Sequence, residues 1–291
     1  MLAREKWYGY LLVLPMMLGY AVFVLGPIIA TLIMSFTNWS LIGGREFIGF
    51  GNYLRAFTKD PVFWDTVWNS LYFSAVYVPL NIVMTLGLAL LLKESIRGVG
   101  FFRTAIFTPV VTSVVVWAIV WKYIFQTENG LINSLLLLFG IKGPAWLYDM
   151  DLAMPVIILV TLLKGLGINM VIFLAALNEV PRMYYEAAQI DGATGWKLLR
   201  HITLPMIAPS MFLVLIMTMI NSLKVFAQIY VLTGGGPGTS TYVFVYYIYE
   251  QAFRLYEFGY ASAISYILFI LILVLTLLQW HIRNRWVHHE Q

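Results

Sequence analysis

Lys164 is a cation deep inside a long apolar run, followed by Gly165, Gly167 and Asn169. A lysine at the centre of a membrane helix costs about 2.5–3.5 kcal/mol on insertion scales, so its charge needs a compensating environment. The two glycines weaken the helix and bare its backbone. An interrupted helix with a charge at that depth belongs where it faces protein or a water-filled cavity. No Asp or Glu lies in any long apolar run to pair with it, which points to the cavity, with structural pairing as the competing role. Farther along, Thr218, Asn221, Ser222 and Val225 follow i, i+3, i+4, i+7 spacing and fall on one helical face. Their hydroxyl and amide groups suit a hydroxyl-rich solute, and they suit a polar seam between two helices as well.

Other chemistries find no support. The chain has no cysteine, so disulfide and thiol chemistry are excluded. His201, His281, His288 and His289 lie outside the membrane core without metal-ligand spacing and read as solvated or interfacial, so no metal is expected. Thr233-Gly234-Gly235-Gly236-Pro237-Gly238 lacks the Lys-Ser/Thr of a phosphate loop and reads as a turn. Lys122, beside Trp117, Trp121 and Tyr123, can snorkel to the interface, and Lys224 can either snorkel or face a pathway.

The elements that carry these residues are membrane helices. With 61% hydrophobic and 11% charged residues and a mean hydropathy of +0.82, the chain needs lipid as its main solvent. Apolar segments near Tyr10–Phe36, Val67–Leu92, Thr104–Phe125, Leu152–Asn178, Pro205–Tyr230 and Ala261–Ile282 each approach the ~20 residues a spanning helix requires. They are too continuous for alternating barrel strands. The first run is too long for a signal peptide and has no cleavage site. The expected fold is all-α and polytopic, with six transmembrane helices in a single domain over 1–291.

Placing the N-terminus inside gives the cytoplasmic parts Arg4, Lys6, Lys93, Arg97, Arg103, Arg182, Lys197, Arg200, Arg283 and Arg285. The longer external loops keep Arg45, Arg55, Lys59, Lys142 and Arg254. This is the positive-inside distribution, with both termini cytoplasmic. The net charge of +4 therefore reads as topology, and no basic soluble face exists for nucleic acid. Outside, Thr37–Thr66 is rich in glycine and aromatics, and Tyr242–Phe258 suits a short interfacial helix.

Between the fourth and fifth spans a polar island runs from Glu179 to Pro205. Pro181 suits a helix start and Gly192 a chain reversal, so short helices are expected over about Arg182–Ile190 and Thr194–His201. Ala187 and Ala188 permit close approach, Glu186 adds charge, and Met183, Tyr184 and Tyr185 are anchors of the kind enriched at interfaces. The island is either a partner-docking surface or an ordinary interfacial helix.

Glu186-Ala187-Ala188, Gly192 and Ile202-Thr203-Leu204-Pro205 resemble the signature of ABC importer permeases. Ile190-Asp191-Gly192-Ala193 looks like the carbohydrate branch, the maltose-type permeases. Phe47-Ile48-Gly49-Phe50-Gly51-Asn52-Tyr53, Asn69-Ser70-Leu71, Phe102-Arg103-Thr104, Gly130-Leu131-Ile132-Asn133 and the Gly-Gly-Gly-Pro turn extend the resemblance along most of the chain.

The resemblance implies a prokaryotic inner-membrane permease without a catalytic site or cofactor of its own. It would pair with a second, homologous permease, two ATPase subunits that hold ATP and Mg, and an external sugar-binding protein. Glu186, Ala187, Ala188, Gly192, Tyr185 and Met183 would form the loop docked in an ATPase cleft. Lys164, Gly165, Asn169, Thr218, Asn221, Ser222 and Val225 would fall in the register of sugar-contacting positions, with Lys164 touching sugar oxygens or a carboxylate. An importer of a non-sugar solute and a secondary transporter are the alternatives. The latter lacks a membrane carboxylate for ion coupling.

Overall fold

The computed structural model describes residues 2–41, 44–93 and 98–286, with side chains over 10–41, 44–93 and 98–281. Arg4, Lys6, Arg283 and Arg285 thus have only their backbone described, while Gly43, Arg97, His288 and His289 lie outside the described residues.

Helices run in the order α1 Leu2–Tyr20, a π segment Ala21–Leu25, α2 Gly26–Ser35, α3 Gly51–Thr58, α4 Pro61–Lys93, α5 Val99–Val111 and α6 Val114–Ile124. They continue as α7 Leu131–Leu138, α8 Ala153–Glu179, α9 Arg182–Ile190, α10 Trp196–Leu198, a π segment Leu199–Thr203, α11 Leu204–Met206 and α12 Ala208–Leu223. The last are α13 Ala227–Leu232, α14 Phe244–Tyr249, a π segment Glu250–Arg254 and α15 Phe258–Trp286. Among the described residues no strand forms beyond an isolated bridge between Thr37 and Phe47.

Four helices are long and apolar enough to cross a membrane alone, and two bent pairs bring the number to six. The bends depart from the continuous third and fifth spans expected from hydropathy. The third is α5 and α6, turned by 104° at Thr112 and Ser113, whose ψ angles are both 138°. Pro109, inside α5, withholds one backbone donor just before that break. The fifth bends by 72° between the helical run Trp196–Met206 and α12, where Pro209 again removes a donor. Beyond Leu223 the fifth span stops being α-helical until Ala227.

Two compact units are distinguished, Met1–Phe63 with Tyr247–Phe269, and Trp64–Tyr246 with Ile270–Gln291. In the first, the loop after α2 is tied by the Asn52 amide, which donates to the carbonyls of Ser35 at 2.9 Å and Thr37 at 2.8 Å. In the second, α8 is the central helix. Its Ile157, Val160 and Leu162 belong to one core with Phe73, Phe125 and Tyr246, and its Met170, Phe173 and Leu177 to another with Ala89, Ile207 and Val214. Within lipid such side chains gain by close van der Waals packing and not by leaving water. The backbones of α8 and α5 meet at Gly167, where a Cβ would lie 2.8 Å from the Ile106 carbonyl oxygen and 3.0 Å from the Phe107 Cα.

Candidate functional site

The polar island folds as an exposed helical turn. Pro181 precedes α9 with φ −63° and ψ 137°, an extended entry that its ring favours. At the other end the Gly192 amide donates to the Gln189 carbonyl at 3.0 Å and the Ala193 amide to the Ala188 carbonyl at 2.9 Å. Gly192 itself stands at φ +77°. Together these are a Schellman motif, which satisfies the last carbonyls of α9 and needs glycine at its left-handed position. A Cβ at Gly192 would meet nothing within 4 Å, so backbone conformation, not space, selects the residue.

Gly195, at φ +46°, delays the second helix to Trp196. The helical run then passes through the π segment to Met206 instead of closing at His201. Glu186 and Ala187 are exposed and Ala188 half-exposed. Met183, Ile190 and Trp196 are 66%, 87% and 68% exposed, apolar surface that suits either a partner or the membrane interface. Ile190 and Trp196 were not among the expected anchors, although a tryptophan in a polar island was the available signal. Tyr185 turns the other way. Its hydroxyl lies 3.1 Å from the Thr203 hydroxyl and its ring under the Lys93 ammonium, fastening α9 to the body instead of offering an anchor.

At membrane depth the expected stripe divides. The Asn169 amide donates to the Asn81 side-chain carbonyl at 2.6 Å and to the Thr218 hydroxyl at 3.0 Å. Ser222 donates to Ser74 at 2.9 Å. All five are buried, forming a polar seam that joins α4, α8 and α12. Asn221 is exposed. Val225 lies beyond the end of α12, in the apolar core, and so is not on the helical face its spacing suggested. Gly165 admits α4, since a Cβ there would stand 2.5 Å from the Tyr77 hydroxyl oxygen.

Lys164 is half-buried, and its hydrogen-bond partners are backbone carbonyls. Its ammonium donates to the carbonyls of Pro109 at 2.7 Å and Thr112 at 2.6 Å, the unsatisfied end of α5. A cation there complements the negative end of the helix dipole. On the other side of the break the Trp117 indole donates to the Val160 carbonyl at 3.0 Å.

The first unit contains a polar cluster that sequence reasoning did not find. Asp60 accepts from the hydroxyls of Tyr247 and Tyr260, and burial with the Asp60 hydrogen bond pushes the Tyr247 hydroxyl far above the ordinary tyrosine range. Arg55 pairs with Glu257 at 2.6 Å beside a cavity of about 330 Å³ that Trp39, Asn52 and Tyr260 also line. Partners so distant in sequence leave no local motif.

Comparison with known proteins agrees with this architecture. A family described as the binding-protein-dependent transport system inner membrane component matches residues 81–288. The lactose transport system permease protein LacF of Rhizobium radiobacter is 38% identical over 283 residues, covering 94% of this chain and 93% of the relative. The arabinooligosaccharides transport system permease protein AraP of Bacillus subtilis is 36% identical over 277 residues, covering 94% and 88%. A solved chain of a bacterial ABC transporter involved in the import of the acidic polysaccharide alginate superposes with a TM-score of 0.86 at 26% identity, covering 97% of this chain and 96% of that one.

Proposed function

Because the chain belongs to the binding-protein-dependent transport system inner membrane components, we propose that it is the permease subunit of an ABC importer for a sugar or oligosaccharide. The lactose and arabinooligosaccharide systems of its relatives support the substrate class. A second, homologous permease completes the pathway. Two ATPase subunits supply the energy and hold ATP and Mg, an external binding protein delivers the sugar, and both termini face the cytoplasm. This chain contributes no catalytic group.

The observation that carries this reading is the exposed turn at α9. Its Schellman close fixes the direction of the chain, while Glu186, Ala187, Ala188 and Met183 present charge, closeness and apolar surface to an ATPase cleft. Tyr185 and Gly192 hold that surface on the body. Closure of the ATPase pair on ATP pushes α9, and the long, buried α8 carries the push into the membrane. Transmission follows from rigidity. A close-packed helix moves as a body and does not bend at the point of load.

Of the residues expected along the pathway, Asn221 is assigned to its wall, while Asn169, Thr218 and Ser222 are buried in the seam, Gly165 packs against Tyr77 and Val225 lies in the apolar core. Asn221 offers an exposed amide that exchanges hydrogen bonds with sugar hydroxyls, and the buried members hold its helix in place. The test is reconstitution with the partner subunits and a binding screen of the cognate external protein against sugars, amino acids and phosphate. Sugar binding with sugar-stimulated ATP hydrolysis is the expected result. Tight binding of an amino acid or phosphate alone overturns the substrate class.

A further inference from the structure

The break in the third span leaves carbonyls at the end of α5 without helical partners, and hydrocarbon would offer them none. Lys164 is a charge that lipid also rejects. Each resolves the other's problem: two of the ammonium's three donors are directed at the Pro109 and Thr112 carbonyls, at 2.7 and 2.6 Å. The opposite side of the break is tied to the same helix, through Trp117 and the Val160 carbonyl at 3.0 Å. Gly167 lets the α5 backbone close on α8, so three contacts from one helix hold both arms of the bend.

We propose that Lys164 is a positioning residue that latches the broken third span to α8, and that it does not act as a counter-ion or binding group for the transported solute. This rests on the importer reading for its role in transport, while the latch itself is a property of the chain in a bilayer. Because α8 runs directly into Val180, Pro181 and α9, the latch makes the α5–α6 bend travel with the exposed turn. A solute contact at Lys164 alters affinity. A latch alters the rate of the conformational cycle and leaves affinity alone.

The experiment exploits the absence of native cysteine in this chain. Ser113, exposed at the break, is replaced by Cys and spin-labelled in the complex reconstituted into lipid, with Lys164 native, Lys164→Met or Lys164→Arg. The latch predicts a more mobile label in Lys164→Met, with maximal uptake at least fivefold lower and KM within twofold of wild type. Lys164→Arg, which keeps a cationic donor, restores the label and most of the uptake. Unchanged label mobility in Lys164→Met overturns the latch, as does a KM raised tenfold at unchanged maximal rate. If native protein moves no sugar, the importer reading fails, yet the label still reports on the latch in that sample.

Discussion

The Ala193 amide reaches back to the Ala188 carbonyl at 2.9 Å, closing the exposed α9 helix in the same residues that make its surface approachable. Ala188 thus serves twice. Its small side chain is the one proposed above to admit a partner, and its carbonyl anchors the turn that aims the next helix. Such a closure exists only while Gly192 remains at positive φ.

Gly192→Ala places a Cβ at φ +77° and should destabilise the turn by about 1 kcal/mol, raising amide exchange at Ala193 roughly fivefold. Gly192→Asn should lose less, because asparagine tolerates the left-handed region. Hydrogen exchange on the reconstituted chain measures both. Equal protection in all three proteins would contradict the role given to the glycine.

How much of this was legible beforehand depended on where each signal resides. Gly192 could be read because a C-terminal turn of this type demands a particular residue in the sequence. The break at Thr112 and Ser113 left only a weak trace, Pro109 and two small polar residues in an otherwise apolar run, and the 104° turn comes from backbone angles that hydropathy does not sense. Lys164 was visible as an anomaly, but its partners are backbone carbonyls, which every residue carries and no search for acids reveals. The stripe from Thr218 to Val225 presumed a continuous helix, and α12 ends at Leu223. The Asp60, Tyr247 and Tyr260 cluster is assembled across sequence separations of 187 and 200 residues, beyond the reach of local spacing.

At Gly167 the limit is steric. Gly167→Leu forces side-chain atoms into the α5 backbone and should cost about 1–3 kcal/mol or more, lowering the thermal midpoint of the purified protein by several degrees. Gly87→Leu, on a helix position with nothing within 4 Å of its Cβ, is the matched control and should leave the midpoint within a degree or two. Equal midpoints would show that α8 and α5 do not approach as described.

Sidedness is tested by reporter fusions. Those at Thr194 and His289 should report cytoplasm, and those at Asp60 and Asp149 the outside, as the Lys/Arg distribution requires. An external signal at Thr194 removes the turn from any ATPase.

The most direct measurement of the central claim is coupling itself. In the reconstituted complex, Ala188→Trp fills the space a partner backbone needs, and Gly192→Val misdirects the helical run Trp196–Met206. Neither changes a residue within a long apolar helix, so both proteins should insert normally. The predicted result is at least a tenfold loss of sugar uptake and of sugar-stimulated ATP hydrolysis, with weakened copurification of the ATPase for Ala188→Trp. Wild-type ATPase binding, hydrolysis and uptake in both variants would contradict the claim that this turn transmits the motor's work.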